Sequence, residues 1–258
     1  MSISLEQQQI IKSYLTEKIR NKLNNYNPET NSMPFHYRLL GKNRMALFSF
    51  IHSINTILGT SIFEKVGELI LSHEVQEVKG QYKGLIGYIS EKAVICIDTI
   101  MRDLKSTRRT PCKSKETEEV LAVAKEGNLG NKIKKRVDIY AKMDDNTEYY
   151  FELKSAKPNI NEFTGIKKQL LDWIAIRGSI SQPVKIKTIL AIPYNPYEPE
   201  PYQRWTLQGL FDLKNEVLVG KEFWDFLGGS NTYEDLLNVF EEAGLELYDE
   251  IDEKMRNL

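Results

Sequence analysis

Lys135-Arg-Val-Asp-Ile-Tyr-Ala-Lys-Met-Asp-Asp-Asn-Thr-Glu-Tyr-Tyr-Phe-Glu-Leu-Lys-Ser155 is the stretch around which the chain is read. Val137, Ile139 and Ala141 alternate with Arg136, Asp138 and Tyr140. Tyr149, Phe151 and Leu153 alternate with Tyr150, Glu152 and Lys154. Period-two alternation on either side of Asp144-Asp145-Asn146 predicts a β-hairpin. With that triplet as the loop, Met143 opposes Thr147 and Asp138 opposes Glu152 on one face. Lys154 lies two residues further along the same face. Two carboxylates and an amine therefore converge on one side, and the other side is apolar.

Such a trio suits phosphodiester chemistry with a divalent metal. Hard cations such as Mg²⁺ take oxygen ligands and keep several waters, so two carboxylates leave positions for a phosphate. The cation stabilises charge on the phosphate and acidifies bound water. A nearby lysine orients the attacking water or offsets developing negative charge. The competing reading, a charged solvent face on an edge hairpin, carries equal weight on these residues alone.

The surroundings favour the first reading. With Val137-Asp138 in place of Pro-Asp and Glu152-Leu153-Lys154 as the second half, the chain resembles the PD-(D/E)XK nuclease superfamily. The segments His36–Glu64, Arg136–Gly178 and Ile189–Gly228 resemble the TdeIII-type group of type II restriction endonucleases. The resemblance implies an α/β fold, with a mixed central sheet flanked by helices and helical N- and C-terminal additions. It implies Mg²⁺-dependent cutting of double-stranded DNA at a short palindrome, GGNCC. Asp138, Glu152 and the Leu153 carbonyl would hold metal, and Lys154 would serve the water. A glutamate on a helix before the hairpin, Glu64 in preference to Glu68, would support the site. Gln169 and Trp173, four apart on a later helix, resemble the Gln-x-x-x-Tyr feature of some superfamily nucleases. A homodimer and a methyltransferase acting on the same site are the partners implied. A repair or recombination nuclease and a catalytically inert nucleic-acid-binding module are the alternatives.

At 258 residues and 41% apolar, the chain can bury one sizeable core. We expect one nuclease domain, with residues 1–58 as a helical N-terminal part, 59–192 as the catalytic core and 193–258 as an extension. No uninterrupted apolar run approaches the roughly 18–20 residues of a membrane span. Met1-Ser-Ile-Ser-Leu-Glu lacks a basic stretch followed by an apolar one, so no secretory signal is expected there. Cys96 and Cys112 match neither a disulfide framework nor a zinc spacing, so a cytoplasmic setting is expected. The net charge of −1 conceals an asymmetry. Glu234–Leu258 carries nine acidic and two basic residues, a balance of −7, which leaves +6 on the remainder. Basic residues gather at Arg102, Lys105, Arg108, Arg109, Lys113 and Lys115, and again at Lys132–Arg136. These clusters, led by Arg108 and Arg109, are candidates for phosphate contact. So are Lys157, Asn159 and Asn161 after the hairpin, and Gln203 and Arg204 in a proline- and tyrosine-rich loop.

Helical periodicity predicts helices over 3–26, 43–58, 90–104, 116–125, 162–177 and 222–227, with two more toward the C-terminus, the first of them capped by Thr232 or Asn231. The apolar 43–58 helix is expected at the centre of the core. Gly59-Thr60-Ser61 is expected to break the chain and cap a new helix carrying Glu64. Strands are expected at 81–89 and, buried on both faces, at 185–192.

Overall fold

The hairpin forms in the expected register. In the computed structural model, which describes residues 2–27, 33–72, 75–203 and 207–256, Ile139 pairs with Phe151, Tyr140 with Tyr150 and Ala141 with Tyr149. Asn146 adopts the left-handed backbone the turn requires (φ 63°), a conformation that Asn tolerates. Asp145 accepts hydrogen bonds from the Thr147 backbone and hydroxyl.

Helices α1 (Leu5–Asn25), α2 (Pro34–Leu40), α3 (Lys42–Ile57) and α4 (Phe63–Leu71) precede strand β1 (Glu77–Gly87). Helices α5 (Glu91–Lys105) and α6 (Lys113–Val123) lead into the hairpin strands β2 (Ile133–Lys142) and β3 (Glu148–Leu153). Helix α7 (Ile160–Ile180), strands β4 (Ile186–Ile192) and β5 (Val217–Val219), and helices α8 (Lys221–Gly228), α9 (Thr232–Glu246) and α10 (Tyr248–Arg256) complete the order. The sheet runs β1-β2-β3-β4-β5. Its first three strands are antiparallel, and β4 and β5 run parallel to β3. This is the mixed sheet the sequence predicts, with β3 at its centre. Ser90 caps α5 as expected, accepting from the Ala93 N–H. The three-residue β5 carries no periodicity and was not expected.

Two apolar layers cover the sheet. Helices α5, α6 and α7 close one side through Ile97, Leu104, Val120, Leu170 and Trp173. On the other side α1, α4, α8 and α9 supply Ile11, Leu15, Val66, Ile70, Phe223 and Leu236. The first and last parts of the chain thus form one layer.

Four expectations need correction. Gly59-Thr60-Ser61 does not break the helix: Leu58–Ile62 is a π-helical turn, with Phe63 N–H donating to the Leu58 carbonyl. The Thr60 and Ser61 hydroxyls bond back to the Thr56 and Ile57 carbonyls, so neither caps. Helix α3 is not central. Met45, Ala46 and Phe50 are buried, but Phe48 is 51% and Ile51 50% exposed, because α1, α4, α8 and α9 already fill that side of the sheet. Val137 packs in the α5–α7 layer and not beside Ile139. The β1–β2 register shifts between Tyr82 and Leu85, which sets two β1 residues against Arg136 and twists the strand there. Finally, neither Asn231 nor Thr232 caps α9: Asn231 makes no capping bond, the Thr232 hydroxyl donates to the Gly229 carbonyl, and Asp225 accepts from the Tyr233 N–H instead.

From Lys42 to Leu71 the helix is continuous, and by length and composition alone it could cross a membrane. Its second half instead buries Glu64, Val66, Ile70 and Leu71 against the sheet, as a core helix does.

Candidate active site

β2 and β3 lie inside the sheet with both faces covered, so the reading of a charged solvent face on an edge hairpin fails. The β2–β3 pairing ends at Ile139 and Phe151; Asp138 lies just beyond it, and its Oδ2 accepts from the Leu153 N–H at 2.8 Å. Glu152 is 6% exposed. Its Oε1 lies 2.6 Å from Lys154 Nζ, and its Oε2 accepts from Gln169 Nε2 at 2.6 Å. Gln169 leans to the site while Trp173, one turn on, packs against Tyr150 in the core. The Gln-x-x-x-Trp spacing thus separates a polar support from an apolar anchor on one helix.

The two glutamates of α4 make different contacts. Glu68 pairs with Lys65 and lies over Gly80. Glu64, 3% exposed, takes Arg136 Nη2 at 2.9 and 3.1 Å. The same Nη2 stands 3.7 Å from Asp138 Oδ1. Gln81 also bonds to Glu64 from the distorted part of β1, where its φ is 48°. Arg136 and Gln81 are absent from the sequence-based site. The signal for Arg136 was its place two residues before Asp138; Gln81 had none beyond the irregular Gly-Gln-Tyr run.

Burial, and then the charge of Asp138, push the Glu64 carboxyl up to about 6. Glu152 is raised by the same two causes, against the pull of Lys154 and Gln169. Asp138 is raised by burial, opposed by the Leu153 N–H and the two cations. Lys154 is held above its ordinary value because Glu152 outweighs burial. Two carboxylates raised by the charge of a third form a site that gains from added positive charge.

Among the described residues no three of His, Cys, Asp and Glu close to a ready-made metal cluster. The donor set nonetheless fits a hard cation. It is all oxygen, and two carboxylates beside a backbone carbonyl leave room for waters and a phosphate. Cation binding needs ionised carboxylates, and folding raises these groups. Mn²⁺ affinity of the protein without DNA is therefore expected to fall as pH drops through about 6, and part of that fall should vanish in Glu64→Gln. Titration followed by electron paramagnetic resonance checks this; an unchanged slope in the variant would remove Glu64 from the site.

The candidate DNA contacts divide. Arg108, Asn161 and Gln203 are exposed. Arg109 is tied by two hydrogen bonds to Glu119. Lys157 lies 5.2 Å from the Tyr197 ring. Asn159 caps α7, accepting from the Asn161 and Glu162 N–H groups. Arg204 lies outside the described residues. Lys113, expected on a basic surface, is buried against Glu216 at 2.6 Å.

Residues 3–244 match the family described as "Type II restriction endonuclease, HinfI". The chain belongs to the HinfI family of type II restriction endonucleases. Two curated relatives from Herpetosiphon aurantiacus, the type II restriction enzymes HgiBI and HgiCII, are 30% and 28% identical over 226 residues, which is 86% of this chain and 81% of each relative. The type II restriction enzyme MjaII of Methanocaldococcus jannaschii is 29% identical over 81% of this chain and 61% of its own length. HinfI-family membership makes the chain a site-specific deoxyribonuclease and places the hairpin carboxylates in a nuclease fold.

Proposed function

We propose that this single nuclease domain cuts both strands of DNA at a short palindrome, with Mg²⁺ held by Asp138, Glu152 and the Leu153 carbonyl. The observation that carries the reading is the convergence of Asp138, Glu152, Lys154 and Gln169 inside a HinfI-family fold. The bound cation supplies charge stabilisation at the phosphate and a more acidic water. Gln169 fixes the Glu152 carboxylate, and the Leu153 N–H fixes Asp138, so both ligands are oriented before substrate arrives. Lys154 stands beside the same centre, where it orients the attacking water and offsets negative charge as the bond breaks. Glu64 joins from α4, directly or through a water.

The TdeIII-type resemblance supplies GGNCC as the target to test first. A two-fold target is matched by a two-fold dimer that places one active site on each strand. Helix α8 spends Phe223, Trp224 and Leu227 on its own core. The N-terminal α2–α3 segment, with Phe35, Leu39, Phe48 and Ile51 exposed, suits a second copy better. A methyltransferase acting on the same sequence would protect host DNA in the cytoplasm.

Digestion of long mixed-sequence DNA with purified protein and Mg²⁺ tests the reading, with chelated metal as control. Discrete fragments that map to one short palindrome support it. A smear or structure-dependent nicks would replace it with a repair nuclease, and intact DNA with a binding module. Light scattering of a monomer both free and on its site would overturn the dimer.

A further inference from the structure

Arg136 makes contacts that an ordinary structural arginine does not. Arg177 grips Glu148 with Nε and Nη2, one nitrogen to each carboxylate oxygen, at 2.7 and 2.6 Å, and is 20% exposed. That forked pairing is the arrangement expected of a permanent ion pair. Arg136 instead places the single nitrogen Nη2 on both oxygens of Glu64 and leaves its side chain 47% exposed. Among the described residues no protein acceptor takes its Nε or Nη1. The guanidinium touches the buried carboxylates through one nitrogen.

We propose that Arg136 competes with the divalent cation for Glu64 and Asp138 and, once displaced, binds a backbone phosphate of the DNA being cut. The inference rests on the nuclease reading of the hairpin site. Charge counting supports it. Glu64, Asp138 and Glu152 face Arg136 and Lys154, which leaves one net negative charge. A divalent cation turns that into one net positive charge, and a single phosphodiester neutralises it. Glu64 is buried, and its carboxylate is held by a cationic partner. Either Arg136 or the metal fills that part, and the metal frees the arginine. A free guanidinium on a half-exposed side chain is well suited to a phosphate.

The test measures Mn²⁺ binding to DNA-free protein by electron paramagnetic resonance, together with cleavage at saturating metal. Arg136→Ala is expected to bind Mn²⁺ roughly tenfold more tightly, since one charge-assisted competitor is gone. It should nevertheless cut on the order of a hundredfold more slowly, because a phosphate contact is lost. Arg136→Lys should stay near the parent in metal affinity. A purely structural role predicts weaker metal binding, because the site loosens. Equal or weaker Mn²⁺ binding by Arg136→Ala, or cleavage at the parental rate, overturns the proposal. If thermal melting shows that variant unfolded, Arg136→Gln, which keeps a donor for Glu64, is read by the same criteria. Asp138→Asn separates the two readings. It should lose Mn²⁺ binding, and if it does not, the hairpin is not the metal site and the nuclease assignment of these residues fails with it.

Discussion

Lys154→Ala is expected to lose measurable cleavage while binding DNA in Ca²⁺ almost as the parent does. Lys154 Nζ sits 2.6 Å from Glu152, and its side chain is 39% exposed, so it reaches substrate from a fixed base. Its contribution is largest in the transition state, where charge on water and phosphate peaks. Removing one such group costs on the order of a hundredfold or more in rate. Affinity for DNA is spread over many phosphate contacts, each with a small share. Arg108→Ala should behave in the opposite way, weakening binding in a salt-dependent manner with the chemical step intact. Arg109→Ala is a poorer probe, because that side chain is committed to Glu119. Gel-shift and single-turnover assays on the mapped site separate the two effects. Parental cleavage by Lys154→Ala would remove the hairpin from the mechanism.

The largest effect on stability is expected from Lys167→Ala. Lys167 is fully buried on α7 and bonds to Glu116 of α6 and to Glu216, at the entrance to β5, which also takes Lys113. Two lysines and two glutamates form a closed, neutral group far from water. Burial works against Glu216, yet Lys113 and then Lys167 hold its carboxyl below the usual range. Removing Lys167 leaves Glu116 without a cation and Glu216 with one, which costs about 3–5 kcal/mol. Urea unfolding should show that loss as a lower midpoint with an unchanged slope. Replacing the four charges together by apolar residues of similar volume should cost far less, since the penalty lies in the unpaired charge. A loss under about 1 kcal/mol for Lys167→Ala would mean that water reaches the group.

The same cluster marks where reading the sequence stops. Lysine is a surface residue by habit, and nothing in the spacing of Lys113, Glu116, Lys167 and Glu216 signals that they meet. Hairpin register was legible because side chains alternate and an odd loop leaves only one pairing. Glu64 and Gln169 were named on the family resemblance, and the fold brings Glu64 to Arg136 and Gln169 to Glu152. Exposure of α3 was not. Apolar residues declare that a helix wants partners, not that other helices have taken the sheet first. Gly59-Thr60-Ser61 misled because the residues that cap helices also bond back one turn within them.

The π-helical turn at Leu58–Ile62 has the effect of a gear offset between two shafts. An α-helix advances by about 100° per residue, so one extra residue in a turn rotates everything after it by nearly that angle. The stripe of α3 and the stripe of α4 are therefore out of phase along what is otherwise one rod. Deleting a single residue between Leu58 and Ile62 would straighten the rod and swing Glu64 away from Arg136 toward the flank of the sheet. Length in this segment is thus under a tighter constraint than residue type. Relatives that keep the glutamate in contact must keep the count of residues behind it, whatever those residues are.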